Sequence, residues 1–214
     1  MAIDDKGEAR ARERAAAQLR RHLAGGRWAP GTVLQEGDLA RELGLSKTPV
    51  REALLALCEH GLVRPLARVG YLVPAISLRD VAEVFSFREL LECQIVADVA
   101  GLRSTVNSLP EARADTPEER EHAFHADLAL LAGGRRVGAS LASLLDETRR
   151  ITAYVDPERE RVARLAGDHD ALLDAILAHD LMLARALMTV HLTHMRESFM
   201  AVLRQRLREQ AEIP

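Results

Sequence analysis

The feature that most constrains this fold is a pair of short amphipathic helices separated by a glycine, within residues 34–57. Each helix has one apolar face, formed by Leu39, Ala40 and Leu43 in the first and by Val50, Leu54 and Leu57 in the second. Gly44 lies between them, where a left-handed residue commonly ends a helix, and Pro49 lies in the first turn of the second helix. The pattern predicts a helix-turn-helix.

Polar residues are concentrated at the start of the second helix. The apolar stripe leaves Lys47, Thr48 and Arg51 on the opposite side, which is expected to face outward, and the Ser46 hydroxyl is available as a helix cap. Recognition helices contact base edges with their N-terminal residues. We therefore expect this helix to bind double-stranded DNA in the major groove.

A short hairpin is predicted after the second helix. Two strand-like runs, Val63–Leu66 and Tyr71–Val73, flank a turn that contains Arg68 and Gly70. A basic hairpin that follows a helix-turn-helix is typical of a wing, which reaches the DNA backbone or the minor groove. Two unrelated amphipathic helices would not explain this hairpin.

The motif resembles the GntR family of bacterial transcription regulators. The family pattern Ser-Arg-Thr-Pro-Val-Arg-Glu-Ala-Leu recurs at Ser46–Leu54, with Lys47 in place of the usual arginine. The resemblance implies a homodimer that binds an inverted-repeat operator, since a two-fold dimer presents its recognition helices symmetrically. The implied DNA-binding residues are Ser46, Lys47, Thr48, Arg51, Arg68 and Gly70.

The rest of the chain is expected to be helical. Aromatic residues make up 3% of the sequence, and alanine, leucine and arginine favour helix over sheet. The predicted helices are Leu78–Val99, Pro117–Leu131, Val137–Val155, Glu158–His179 and Leu181–Gln210, with a possible break near Gly167. The predicted fold is therefore mostly α: a winged helix-turn-helix domain in residues 1–76, then an all-α antiparallel bundle in residues 77–214 for effector binding and dimerisation.

The charge distribution agrees with this division. Residues 1–76 contain 12 Lys and Arg against 9 Asp and Glu, whereas residues 77–214 contain 17 against 23. A basic N-terminal part and an acidic remainder direct the first toward phosphates. No apolar run approaches the length of a membrane span, no signal-peptide pattern begins the chain, and two isolated cysteines suit a reducing compartment, so we expect a cytoplasmic protein without a membrane partner.

Histidines in the second part indicate a possible metal site. Glu121 and His125 are four residues apart and share one face of their predicted helix, while His169 and His191 lie on two later helices. Three imidazoles and one carboxylate suit zinc, nickel, cobalt or manganese. Spacing alone leaves the alternative that these histidines are core or surface residues.

A second resemblance bears on these histidines. The segment His122-Ala123-Phe124-His125 and the later pair His169 and His191 resemble the C-terminal effector domain of FadR-type regulators, the FCD domain. This resemblance implies that Glu121, His125, His169 and His191 bind a divalent transition metal, zinc or nickel first, with Glu121 where aspartate is usual. Arg88 is a candidate to bind an effector carboxylate, and its alternative is an ion pair with Glu92 along the helix.

These observations together predict a DNA-binding transcription regulator, expected to be a repressor and not an enzyme. A small organic acid bound at the metal would control it. Two alternatives remain open from the sequence. One is a metal-dependent hydrolase fused to a DNA-binding domain, although no general base stands at a recognisable spacing. The other is a regulator with a degenerate or metal-free pocket.

Overall fold

The computed structural model describes residues 4–102, 116–155 and 168–211. The chain divides into two compact units, Met1–Ile76 and Ser77–Pro214. The described residues are mostly helical and include one small antiparallel sheet, which confirms the predicted fold class.

The first unit combines three helices with a three-stranded sheet. Its elements are α1 (Asp4–Ala24), β1 (Val33–Leu34), α2 (Glu36–Leu43), α3 (Lys47–Glu59), β2 (Arg64–Leu66) and β3 (Gly70–Leu72). The strand order is β1-β3-β2, and all pairs are antiparallel. The wing is formed by β2 and β3, and the two-residue β1, which the sequence did not predict, pairs with β3 through Val33 and Leu72.

Two glycines fix the backbone of this unit. Gly44 adopts a left-handed conformation with φ of 64° and donates its N–H to carbonyls in the last turn of α2, so α3 can begin three residues later. Ser46 occupies the N-cap position of α3, but its hydroxyl accepts no cap hydrogen bond, contrary to expectation. Gly70 has φ of 142° and packs so tightly that an added Cβ would lie 2.3 Å from the carbonyl oxygen of Leu34.

The core of the first unit lies between its helices. Helices α1 and α3 pack against each other and contribute five large, fully buried side chains: Leu19, Leu23, Val50, Leu54 and Leu57. Full burial of a valine or leucine side chain stabilises the fold by about 1.5–3 kcal/mol relative to leaving it exposed. The apolar stripe predicted for α3 is therefore the face that holds the recognition helix in place.

The second unit contains only helices among its described residues. They are α4 (Leu78–Gly101), α5 (Pro117–Leu131), α6 (Arg135–Val155), α7 (Asp168–Leu177) and α8 (Leu181–Ala211). Ser77 and Asp80 form a capping box at the start of α4, and Thr116 and Glu119 form another before α5. The predicted helix Glu158–His179 is seen only as α7, because residues 156–167 lie outside the described part.

Helices α4 and α8 form the centre of this unit, where Phe85 of α4 meets Phe199 of α8 edge to face at 5.8 Å. Helix α5 packs on α6, α6 on α4, and α7 on α8. None of the helices in the described ranges combines the length and the hydropathy needed to span a membrane.

The tight contact at Gly70 generates a prediction for stability. Gly70→Ala would press a methyl group into the Leu34 carbonyl at a backbone angle that alanine rarely adopts, so we expect a loss of about 1–3 kcal/mol in the free energy of unfolding. Gly138→Ala in α6, where an added Cβ meets open space, is the matched control and should be neutral or stabilising. Urea denaturation measures both, and equal effects would contradict the prediction.

Candidate metal centre and nucleic-acid interface

Four side chains predicted from the sequence as ligands lie together inside the second unit. Glu121 and His125 come from α5, His169 from α7 and His191 from α8, and one ligand atom of each lies within 4.8 Å of the others. All four residues are buried. The four-residue spacing on α5 puts the first two on one face, and helix packing brings in the two distant histidines.

The donor atoms face one point. Glu121 Oε1 lies 3.0 Å from His125 Nε2 and 3.3 Å from His191 Nε2, and these two nitrogens are 3.3 Å apart. His169 Nε2 lies 3.0 Å from Glu121 Oε2. Phe124 stacks on the His169 ring at 4.0 Å between centroids, which orients that imidazole.

This arrangement fits a metal ion. Bonds of about 2.1 Å place neighbouring ligand atoms roughly 3.0–3.4 Å apart. The four distances given above lie between 3.0 and 3.3 Å. Although Glu121 Oε2 and His169 Nε2 are close, they are not aligned as a hydrogen bond, and within the described ranges neither atom has a hydrogen-bond partner. Two buried polar atoms that face the same point without bonding each other are consistent with a shared third partner.

A buried ion pair on α4 contacts the cluster through His125. Arg88 Nε donates to Glu92 Oε1 at 2.7 Å, and Glu92 Oε2 accepts a hydrogen bond from His125 Nδ1. This bond leaves the Nε2 lone pair of His125 directed at the cluster, as carboxylate partners of metal-binding histidines do. Burial opposes ionisation of Glu92, but the charges of Arg88 and His125 lower its pKa to about 2.

The same electrostatics act on the cluster itself. Burial would raise the pKa of Glu121, yet His191 and His125 hold it well below its ordinary value. Burial lowers the pKa of His169, whereas for His125 the carboxylates of Glu92 and Glu121 outweigh burial and raise it. The cluster therefore keeps its carboxylate ionised, as a metal ligand has to be.

Arg88 also faces a small cavity next to the cluster. Its side chain is 0% exposed, and in the described part of the chain its two terminal nitrogens, Nη1 and Nη2, have no hydrogen-bond partner. Nη2 is 4.0 Å from Glu121 Oε1. The cavity has a volume of about 20 Å³ and is bordered by Arg149, Thr148 and Thr152 among others, which is room for one water-sized group.

The contact of Glu92 with His125 was not predicted from the sequence. The sequence predicts Glu92 only as the helical partner of Arg88, and that ion pair is present. The available signal was its position, because Arg88 and Glu92 interrupt an apolar stripe on α4 made of Val81, Phe85, Ile95 and Val99. Charged residues on a buried stripe need partners from other helices.

The candidate DNA-binding residues belong to two parts of the first unit, the start of α3 and the wing. Ser46, Lys47, Thr48 and Arg51 are exposed at the start of α3, and Arg68 is exposed at the wing turn, where it adopts a positive φ of 64°. A recess of about 450 Å³ separates α2 from the wing and is bordered by Lys47, Arg68 and Gly70. Lys47 at the start of α3 and Arg68 of the wing thus border one recess, together with Glu36 of α2.

Arg51 of α3 is held by an acidic side chain of α2. It forms a two-pronged ion pair with Glu36 at the start of α2, with Nε 2.9 Å from Oε1 and Nη2 2.8 Å from Oε2. Tyr71 of β3 donates its hydroxyl to the same carboxylate at 3.3 Å. The hydrogen bonds from Arg51 lower the pKa of Glu36 below its ordinary value. The pair fixes the guanidinium of Arg51 and links α2, α3 and the wing.

Comparison with known families accounts for most of the chain. Residues 11–73 match the bacterial regulatory proteins of the gntR family, and residues 78–194 match the FCD domain. An HTH-type transcriptional regulator of Streptomyces ambofaciens is 32% identical over 180 residues, which are 77% of this chain and 74% of that protein. The gluconate operon repressor of Bacillus subtilis is 38% identical over 79 residues, 37% of this chain and 32% of its own.

Solved structures show the same fold. Escherichia coli McbR/YncC superposes with a TM-score of 0.76 at 21% identity and covers 92% of this chain and 98% of its own. A GntR transcriptional regulator from Rhodococcus sp. RHA1 gives 0.75 at 24% identity and covers 89% and 97%. At these identities the likeness supports the fold alone.

The two Arg–Glu pairs on α4 generate a prediction. Both have four-residue spacing, but Arg88–Glu92 is buried whereas Arg79–Glu83 is exposed. Glu92→Ala leaves a buried guanidinium uncompensated, so we expect it to lower the free energy of unfolding by about 3–5 kcal/mol. Glu83→Ala, the matched control, should cost less than about 0.5 kcal/mol. Urea denaturation of both variants checks this, and similar losses would contradict the buried pairing.

Proposed function

Because the chain belongs to the GntR family of bacterial regulatory proteins and carries an FCD domain, we propose that it is a repressor controlled by a small carboxylic acid bound at a divalent metal. It is a DNA-binding transcription regulator, and the matched families and relatives are regulators and not enzymes. That finding removes the support for a hydrolase fused to a DNA-binding domain.

The proposed metal ligands are Glu121, His125, His169 and His191. Zinc or nickel suits this donor set best, because imidazole nitrogens prefer borderline metals and a single carboxylate supplies the oxygen. Four protein ligands leave coordination positions that the oxygen of a carboxylate can fill. Glu121 extends one methylene further than the usual aspartate but keeps the carboxylate.

The observation that carries the effector proposal is the buried guanidinium of Arg88. Its Nε is committed to Glu92, while Nη1 and Nη2 have no hydrogen-bond partner among the described residues. Leaving charged donors unpaired in a buried position is costly, and a carboxylate supplies two acceptors in the geometry that guanidinium prefers. A carboxylate that reaches these two nitrogens would satisfy Arg88 and lie next to the metal ligands.

The proposed operator is an inverted repeat bound by a homodimer. A first unit of this size has little surface to spare once its core is closed, so we assign dimerisation to residues 77–214. Lys47, Thr48 and Arg51 then contact base edges or adjacent phosphates, and Arg68 contacts DNA at the wing. We propose the cytoplasm as the location, because that is where the DNA of a bacterium is.

The DNA-binding proposal predicts the effect of Arg51→Ala. Loss of one base contact weakens operator binding by about 1–3 kcal/mol, and the loss should be smaller on unrelated DNA. Arg79→Ala on α4 removes the same charge outside the first unit and serves as the control. Fluorescence anisotropy with an inverted-repeat duplex measures the affinity of both variants. The same titration should show two chains bound per duplex. Unchanged operator affinity in Arg51→Ala would contradict the assignment.

The metal proposal predicts the behaviour of the double variant His125→Ala/His191→Ala. Tag-free wild-type protein should contain about one transition-metal ion per chain, and the double variant should contain almost none. Operator binding should persist, because no ligand belongs to the first unit, but release by carboxylic acids should be lost. His194→Ala, an exposed histidine one turn beyond His191, is the control. Metal-free wild-type protein that still responds to acids would favour a metal-free pocket.

A further inference from the structure

A large apolar groove lies between α5 and α6. Its volume is about 500 Å³, within the usual range of pockets for small organic ligands. The space exists because both helices present small side chains to it, including Ala126 and Ala129 from α5 and Gly138, Ala139 and Ala142 from α6. Its deep wall contains Leu141, which is 1% exposed.

The groove lies next to the proposed effector site. His122 and Leu145 border both the groove and the small cavity that contains Arg88. These two side chains are therefore the partition between an apolar space and a buried guanidinium. Arg88 has no hydrogen-bond partner for Nη1 and Nη2 within the described ranges, so the side of the partition that faces Arg88 is suited to an anion.

We propose that the groove holds the hydrocarbon part of the effector and that the effector is a hydrophobic monocarboxylic acid, not a polyhydroxylated sugar acid. The proposal rests on the proposed function, because it takes the carboxylate to lie at Arg88. Apart from His122 and Arg135, the residues that border the groove have no polar side-chain atoms. Hydroxyl groups placed there would lose water without gaining partners, whereas methylene groups gain from leaving water.

Gly138 offers a direct way to fill the groove. It borders the groove within α6, and an added Cβ there has no neighbour within 4 Å. Gly138→Leu therefore occupies the groove with a side chain, and leucine favours helix more than glycine does, so folding should be preserved. Ser140→Leu on the same helix is the matched control, because Ser140 is exposed and does not border the groove.

The test measures dissociation constants for acetate, butanoate, hexanoate, octanoate and gluconate by calorimetry on the full, metal-loaded chain. In the wild type, binding should tighten about threefold to fourfold per methylene until the groove is full, and gluconate should bind no better than acetate. Gly138→Leu should weaken octanoate at least about tenfold and leave acetate unchanged. Ser140→Leu should match the wild type.

Several results would overturn the proposal. Affinity that does not depend on chain length, a preference for gluconate, or equal weakening of acetate and octanoate in Gly138→Leu would each contradict it while leaving a carboxylate effector intact. A change of molar mass in Gly138→Leu by sedimentation would identify the groove as a contact between copies of this chain. If no acid, including acetate, binds to the wild type, the proposed function fails as well.

Discussion

The second unit buries six ionisable side chains around one point, and the arrangement of its helices depends on giving each of them a partner. They are Arg88, Glu92, Glu121, His125, His169 and His191, and each is at most 9% exposed. Burying such groups is unfavourable unless each finds a partner of opposite charge or a metal. Because they come from α4, α5, α7 and α8, their mutual contacts specify how these four helices align.

The contacts form a series that runs from α4 to the cluster. Arg88 bonds Glu92, Glu92 bonds the far nitrogen of His125, and the near nitrogen of His125 faces Glu121 and the other imidazoles. A rotation of α4 would break the contact between Glu92 and His125, and a shift of α8 would remove His191 from Glu121. Ligand binding at the cluster can therefore favour one helix arrangement over another, by as much as the ligand's affinities for the two arrangements differ.

Local patterns in the sequence predicted the secondary-structure elements, whereas contacts between residues far apart in the sequence could not be predicted from such patterns. The apolar stripe of α3 and the helix end at Gly44 depend on neighbours within a few residues, and the structure has both. The gathering of His169 and His191 with Glu121 followed only from the family resemblance, because spacing does not reveal how helices pack. The ion pair between Glu36 and Arg51 spans 15 positions and left no periodic signal. The strand β1 has only two residues, too few for an alternating pattern.

X-ray absorption spectroscopy at the edge of the bound metal tests the central claim most directly, on tag-free protein as purified. The account predicts nitrogen and oxygen neighbours at about 2.0–2.2 Å, outer-shell scattering from three imidazoles, and no sulfur. Addition of a carboxylic acid should change the first shell without loss of the imidazole signal. A sulfur neighbour, which would point to Cys58 or Cys93, or a spectrum of a hydrated ion with no imidazole would contradict the account.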